Sequence, residues 1–98
     1  MIRPVQIRRQ ARTEIDDASE WYQARSEGLG PEFLRAFESV VSRVQRHPEA
    51  YPIARGDIRR ATMRRFPYIV FYRLHDNAIV ILACVHERRD PARWQSRV

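Results

Sequence analysis

The stretch YIVFYRLHDNAIVILACV, residues 68–85, decides the fold of this 98-residue chain. Two apolar runs, Tyr68 to Leu74 and Ile79 to Val85, flank His75-Asp76-Asn77, whose residue types tolerate the left-handed backbone of a tight turn. The second run is apolar at every position, which is typical of an interior strand that is covered on both faces. The stretch therefore predicts two antiparallel strands joined by a short turn.

A third strand is predicted immediately before this pair. The run Ile58 to Arg65 alternates apolar and polar residues, and Pro67 separates it from the next strand. Because the connections are short, the three strands form an antiparallel meander. If the strand continues to Arg65, alternation places two arginines on each face: Arg60 with Arg64, and Arg59 with Arg65.

Two amphipathic helices are predicted upstream of the strands. The first runs from Ala11 to about Ser26 and carries an apolar stripe made of Ala11, Ile15, Ala18 and Tyr22. Gly28 ends it, and Pro31 lies in the first turn of a second helix that ends at His47-Pro48. Since the connection is only about four residues long, we expect an antiparallel helix pair.

The two ends of the chain complete the predicted order. Val5 and Ile7 alternate with polar residues after Pro4, which indicates a short strand at a sheet edge, and a short helix is predicted after Asp90. The resulting order is β-α-α-β-β-β with a short terminal helix. It predicts a single α+β domain over residues 1–98, with an antiparallel helical hairpin packed on a small, mainly antiparallel twisted sheet.

Several aromatic residues have the spacing of core positions. The predicted core aromatics are Trp21, Phe33, Phe37, Phe66 and Phe71. Tyr22, Tyr68 and Tyr72 would form a base-stacking surface only if they are exposed. Regular strand alternation also places His86 on the same face as Val80, Leu82 and Cys84.

The chain is basic, and its positive charge comes from arginine without any lysine. The chain has 18 basic and 12 acidic residues, a net charge of +6, and every basic residue is arginine. The absence of lysine excludes a Schiff base, a P-loop lysine and a lysine general base. Cationic chemistry must therefore use guanidinium, which binds carboxylate and phosphate equally well in bidentate geometry.

Other classes of site find little support. Cys84 is the only cysteine, so no intrachain disulfide can form, and the three histidines have no metal-ligand spacing. The apolar runs are too short to span a membrane, and the N-terminus lacks the apolar segment of a signal peptide. We expect a cytoplasmic protein with no metal, no cofactor and no membrane partner.

Motifs along nearly the whole chain point to one family. They are Trp21-Tyr22 on the first helix, Leu29-Gly30 and Phe33 on the second, Arg65-Phe66-Pro67-Tyr68 between strands, and His86-Glu87-Arg88-Arg89-Asp90-Pro91 in the tail. In these residues and their order the chain resembles the RelE/ParE superfamily of toxins from type II toxin-antitoxin modules. Within it, the chain is most similar to the ParE-like branch, the plasmid stabilisation proteins.

The resemblance implies a toxin neutralised by a cognate acidic antitoxin, ParD-like or other, whose C-terminal segment wraps the toxin. ParE-type members are associated with inhibition of DNA gyrase, so gyrase is the target that the resemblance implies. We therefore expect the protein to act by binding its target rather than as an enzyme. We expect an antitoxin helix in a groove beside the helical pair and its carboxylates on arginines of the sheet.

The residues predicted to bind the antitoxin or the target are Arg59, Arg60, Arg64, Arg65, Arg88, Arg89, Trp94 and Arg97. The arginine cluster has an alternative interpretation as a solvated strand whose charges discourage edge pairing. Trp94 also has two interpretations: it pins the tail onto the sheet, or it anchors a partner.

The alternative function is a ribosome-dependent, metal-independent mRNA endonuclease of the RelE type. It would use His86 for proton transfer and Arg60, Arg64 and Arg88 for phosphate binding. Against it, Glu87 stands where such relatives have a tyrosine, and their catalytic lysines have no counterpart. A third hypothesis is a non-toxic interaction module.

Overall fold

The computed structural model describes residues 2–97. The elements are β1 (Val5–Ile7), α1 (Arg9–Arg25), α2 (Leu29–Arg46), β2 (Ile53–Arg55), β3 (Ile58–Thr62), β4 (Tyr68–His75), β5 (Ala78–His86) and α3 (Ala92–Gln95). The sheet order is β1-β5-β4-β3-β2, in which β1 is parallel to β5 and all other neighbours are antiparallel. The helices α1 and α2 cover one face of the sheet, so the predicted α+β architecture is confirmed.

The turn between β4 and β5 forms as the sequence predicts. Asp76 and Asn77 have φ angles of 49° and 65°, in the left-handed region that these residue types tolerate. This turn fixes the register of the hairpin, which runs from His75 opposite Ala78 to Tyr68 opposite His86. β5 is buried over almost its full length between β1 and β4, as its uninterrupted apolar sequence predicts.

Two details of the strands differ from the sequence prediction. β2 lies in the segment Pro48 to Gly56, which is predicted as a loop, and its pairing with β3 is irregular between Ile53 and Arg55. Three residues are too few to show an alternating pattern. β3 ends at Thr62 rather than Arg65, so Arg64 and Arg65 lie in a bend, where Arg65 has a positive φ of 74°.

A bulge in β5 corrects the predicted orientation of His86. Tyr72 lies opposite Ile81 while Phe71 lies opposite Ala83, so β5 contains one extra residue, Leu82. Before this bulge the odd-numbered residues of β5 face the helices, and after it the even-numbered residues do. Consequently Cys84 packs on the helix side, and Val80 and Leu82 pack on the opposite face. Of the three residues predicted to share the face of His86, only Cys84 does so.

The helical hairpin closes tightly at its loop. The amide oxygen of Gln23 accepts hydrogen bonds from the backbone N–H groups of Gly28 and Gly30, and the Ser19 hydroxyl donates to the Gly30 carbonyl at 3.1 Å. A Cβ at Gly30 would lie 3.0 Å from both the Gln23 Cβ and the Ser19 carbonyl oxygen. Gly28 has a φ of 92°, which favours glycine. The predicted hairpin is therefore fixed by small residues at its bend.

The C-terminal segment covers the outer face of the sheet, the face opposite the helices. Trp94 is 3% exposed and stacks on Phe71, with ring centroids 4.0 Å apart. Arg55 donates a hydrogen bond to the Gln95 side chain at 3.0 Å. Of the two interpretations of Trp94, pinning of the tail is the one that the folded chain adopts. Its burial leaves little of the ring exposed to a partner in this conformation, and partner binding by Trp94 stays a prediction.

No helix among residues 2–97 has the length and apolar character needed to cross a bilayer.

Candidate functional site

Three of the predicted binding arginines make internal contacts. Arg59 donates to the carbonyls of Tyr51 at 2.7 Å and Glu49 at 3.2 Å, which holds the loop before β2. Arg97 pairs with Glu14 on α1, and the largely exposed Arg65 lies 3.2 Å from Glu32 on α2. Arg59 and Arg97 therefore stabilise the fold, because their guanidinium groups already bind within the chain.

The other predicted arginines, Arg60, Arg64, Arg88 and Arg89, are exposed. Arg64 follows β3 and Arg88 and Arg89 follow β5, and backbone hydrogen bonds bring these segments to one end of the sheet. The Met63 N–H donates to the Tyr68 carbonyl and the Glu87 N–H to the Pro67 carbonyl. Arg60 instead lies within β3, opposite Phe71. The residues predicted for a nuclease are thus only partly brought together, with Arg60 outside the group.

A cleft of about 500 Å³ opens at this end of the sheet, between α1 and β5. We call it the α1–β5 cleft. Its lining includes aromatic, basic and acidic side chains: Trp21, Tyr22, Tyr68, His86, Arg88, Arg89, Glu14 and Asp17. The Tyr68 ring lies 6.2 Å from Tyr22 and 5.4 Å from His86, edge to face in both cases. Tyr72 is excluded from this surface, since it is fully buried and donates to the Pro48 carbonyl at 2.6 Å.

Trp21 corrects a prediction, because it is 52% exposed rather than part of the core. Its ring contacts Tyr22 at 5.0 Å, and the Arg25 guanidinium lies 4.1 Å from its centroid. The sequence carries a signal for this exposure. Asp17 and Arg25 lie four residues before and after Trp21, so this side of α1 is charged while the stripe that includes Tyr22 is apolar.

The proton-transfer groups of the α1–β5 cleft are limited. The Nδ1 atom of His86 accepts a hydrogen bond from the Arg88 N–H at 3.1 Å, so the neutral ring carries its proton on Nε2. Burial raises the pKa of Tyr22, and burial followed by the nearby Tyr22 and Cys84 raises the pKa of Tyr68, which Arg89 partly offsets. Both phenols are therefore protonated and neutral near pH 7.

A hydrogen-bonded ion pair closes the back of the cleft. Glu14 binds Arg97 through both carboxylate oxygens, at 2.6 and 3.1 Å, and one of these oxygens also accepts the Cys84 N–H at 3.1 Å. Arg97 also donates to the carbonyl of the bulge residue Leu82 at 3.4 Å. The Glu14 hydrogen bond raises the pKa of Arg97 further. This pair joins the tail to α1 and satisfies backbone groups of β5 that no strand covers.

The buried thiol of Cys84 should make the protein less stable at alkaline pH. Burial, followed by the nearby Glu14 carboxylate, raises the pKa of this thiol from 9.0 to about 12. Since the unfolded chain releases this proton at lower pH than the folded chain, the free energy of unfolding falls as pH rises above about 9. We expect a decrease of about 1 kcal/mol between pH 9 and 10, measured by urea denaturation.

The Cys84→Ala variant is the control for this prediction, because it removes the thiol and keeps a small apolar side chain. Its free energy of unfolding should change little between pH 9 and 10. Burial also raises the pKa of Tyr72 from 10.0 to about 12, so a further decrease that both proteins share is expected above pH 10. Equal pH slopes for the two proteins between pH 9 and 10 would contradict the assignment.

A second, more apolar groove of about 420 Å³ lies between β1 and α2. We call it the β1–α2 groove; its apolar lining consists of Val5, Ile7, Leu34, Phe37 and Val41. Arg12, Glu38 and Gln45 form the polar part of its lining. It lies beside the helical pair, where the sequence predicts a groove for an antitoxin helix, and its aliphatic side chains suit the apolar face of such a helix.

Comparison with known proteins gives one family. The model of the family "ParE toxin of type II toxin-antitoxin system, parDE" matches residues 5–91. A solved structure of the chromosomal ParDE TA system from P. aeruginosa is similar in fold, with a TM-score of 0.62 at 19% sequence identity. The alignment covers 87% of this chain and 96% of that chain. No curated protein sequence matches the chain.

Proposed function

The chain belongs to the family of ParE toxins of type II toxin-antitoxin systems, and from this premise we propose that it inhibits DNA gyrase by binding it. An antitoxin is the cognate partner of such a toxin, and we propose that this antitoxin is acidic. The site of action is the cytoplasm, where gyrase works. The net charge of +6 supports an acidic partner, because opposite charge accelerates association and disfavours basic competitors.

The observation that carries a binding mechanism is the composition of the α1–β5 cleft. It offers exposed cations, Arg88 and Arg89, while the phenols of Tyr22 and Tyr68 stay neutral and Arg97 occupies the Glu14 carboxylate. RNA cleavage needs a base for the 2′-hydroxyl and an acid for the leaving oxygen. Since Arg97 occupies the Glu14 carboxylate and neutral phenols do not act as bases, the cleft offers few bases for RNA cleavage, while Arg88 and Arg89 suit an acidic partner.

The β1–α2 groove supports the proposed mode of neutralisation. An amphipathic helix of the antitoxin would lay its apolar face on Leu34, Phe37 and Val41. Acidic residues elsewhere in the antitoxin would contact exposed arginines of the sheet, among them Arg60 and Arg64. Burial of the aliphatic residues supplies the affinity of such a complex, and the arginines add mainly to the association rate.

The Val41→Glu variant tests the proposed groove. A carboxylate there opposes both the apolar contact and an acidic partner, so we expect the Kd for the antitoxin to rise about 30-fold or more, as for a hot spot of about 2 kcal/mol. Ser39→Glu is the matched control, because it adds the same charge at an exposed position on the same helix. Isothermal titration calorimetry provides the measurement. Equal affinities of the two variants would exclude the groove as the antitoxin site.

The proposed target is tested with the purified wild-type chain. We expect inhibition of gyrase supercoiling, reversal of this inhibition by antitoxin, and intact mRNA on translating ribosomes. The endonuclease alternative retains one favourable observation, the position of His86 beside Arg88 in an open cleft. Ribosome-dependent cleavage that disappears in His86→Ala would establish that alternative. Absence of growth arrest on induced expression would favour the non-toxic module.

A further inference from the structure

The edge of β5 is open where the strand borders the α1–β5 cleft. β1 pairs only with Ile79, Val80 and Ile81, and no strand among residues 2–97 lies beside the remainder of β5 on this side. Exposed backbone donors and acceptors at a sheet edge are a template for an added strand. Two side chains already cover part of this edge: the Glu14 carboxylate accepts the Cys84 N–H, and Arg97 donates to the Leu82 carbonyl. The edge is therefore open only at its end, at His86.

The hydrogen-bond pattern defines which backbone groups face the open edge. The Tyr68 carbonyl accepts a hydrogen bond from Met63 on the β3 side, so Tyr68 and its partner His86 do not bond to each other across β4 and β5. The same alternation applies to Cys84, whose N–H reaches Glu14. The Cys84 carbonyl and the His86 N–H therefore point away from β4, but Cys84 is only 1% exposed, so of the two only the N–H of the partly exposed His86 is accessible from the cleft.

Side chains around this edge favour a segment that is both acidic and apolar. Arg88 and Arg89 are exposed on one wall, and Trp21 offers a half-exposed indole on the other. Of the two acidic residues in the cleft, Glu14 is paired with Arg97. Asp17 lies on α1, whereas Arg88 and Arg89 follow β5. Exposed Trp, Tyr and Arg residues around one cleft are the composition of an interface hot spot.

We propose that the α1–β5 cleft binds an extended acidic segment of the target protein, which pairs with the open edge of β5. A backbone carbonyl of the segment accepts the His86 N–H at the end of β5, one carboxylate contacts Arg88 and Arg89, and an apolar side chain packs on Trp21. This inference rests on the proposed function, since it supplies the surface through which a ParE-like toxin would hold gyrase. The antitoxin is assigned to the β1–α2 groove instead, which lies between different elements.

RNA is a poorer occupant of this cleft than a peptide. Tyr22 stacks on Phe33 and packs edge to face against Phe66 and Tyr68, and Tyr68 packs edge to face against Phe33. This packing leaves the indole of Trp21 as the main exposed face for stacking.

The experiment compares gyrase inhibition by wild type, Trp21→Ala, Arg89→Glu and Arg35→Glu. Arg35 is exposed on α2, outside the cleft. Arg35→Glu makes the same charge change as Arg89→Glu, so it serves as the matched control. We expect the concentration for half-inhibition to rise about tenfold or more for the two cleft variants and to stay within about twofold for the control. The Kd for the antitoxin should stay within about twofold for all four proteins, which also verifies their folding.

A pair of substitutions at His86 tests the strand pairing itself. His86→Ala and His86→Pro both remove the imidazole, but only proline also removes the N–H that points to the open edge. We expect His86→Pro to weaken inhibition about tenfold more than His86→Ala, with antitoxin affinity reporting the fold of each. Equal inhibition by these two variants would overturn the strand pairing.

The remaining outcomes separate this inference from the proposed function. Gyrase inhibition by wild type that is unchanged in Trp21→Ala and Arg89→Glu would overturn the cleft and leave the function in place. A wild-type chain that leaves gyrase active would overturn both. Loss of antitoxin binding in the cleft variants would assign the cleft to the antitoxin, and loss of ribosome-dependent cleavage would assign it to RNA; either result would overturn the inference.

Discussion

Phe33→Ala should lower the free energy of unfolding by about 3–5 kcal/mol. Phe33 is fully buried on α2, and its ring centroid lies 5.6 Å from Tyr22, 5.3 Å from Phe66 and 5.1 Å from Tyr68. Its removal leaves a cavity at the junction of both helices and the sheet. Because domains of this size are stable by only about 5–15 kcal/mol in total, urea denaturation should show a large shift of the midpoint.

Phe33→Leu is the control for this prediction. It retains most of the apolar volume and loses the aromatic contacts, so we expect a smaller decrease of about 1–2 kcal/mol. A decrease below about 1 kcal/mol for Phe33→Ala would mean that the helices close the cavity by moving together. The cleft should also change, because Phe33 supports the two tyrosines that form part of its wall.

Trp94→Ala should lower the free energy of unfolding by about 3 kcal/mol and release the C-terminal segment. The indole is buried against Phe71, and without it the outer face of the sheet loses its main cover. Limited trypsin digestion should then cleave after Arg97 and the arginines that follow β5 faster than in wild type, since local opening governs proteolysis. Urea denaturation gives the accompanying change in stability.

Trp94→Phe keeps an aromatic ring on Phe71 and should retain most of the protection. Digestion rates of Trp94→Ala that match those of wild type would show that the Glu14–Arg97 ion pair alone holds the segment. The two contacts act at different points of the tail, so their separate removal distinguishes an apolar anchor from an ionic one.

The sequence predicts the elements that carry strong periodicity or definite turn chemistry. The apolar β5, the Asp76-Asn77 turn and the α1–α2 hairpin with Gly28 are all confirmed. Each follows from a rule that acts within a few residues, such as a tolerated positive φ or a stripe at helical spacing. β2 lacks such a signal, because its three residues acquire strand geometry only by pairing with β3.

The candidate site is harder to predict, because it depends on distant partners. Arg59 and Arg97 have the same sequence character as Arg88, yet the loop carbonyls and Glu14 bind the first two. The orientation of His86 depends on the bulge at Leu82, which appears only in the register of β4 against β5. Alternation counted along one strand has no means of detecting an inserted residue.

Burial of tryptophan also depends on the tertiary structure. Trp21 lies on a helix beside apolar positions and is exposed, whereas Trp94 lies in a polar tail and is buried. The neighbours of Trp21 four residues away are charged, and this local feature predicts its exposure. Trp94 has no comparable signal, since the Phe71 ring that it covers is more than twenty residues away in the chain.

The parallel pairing of β1 with β5 determines when the fold can be completed during synthesis. Val5 lies opposite Ile79, so the first strand must wait for more than seventy further residues before its partner exists. Ribosomes add about 5–20 residues per second, so this interval lasts several seconds, during which the β1–α2 groove and the β5 edge are both incomplete. A nascent chain therefore has neither of the surfaces proposed for antitoxin and target until β5 has been made. An antitoxin that is already present in the cell would meet each newly completed chain at that moment.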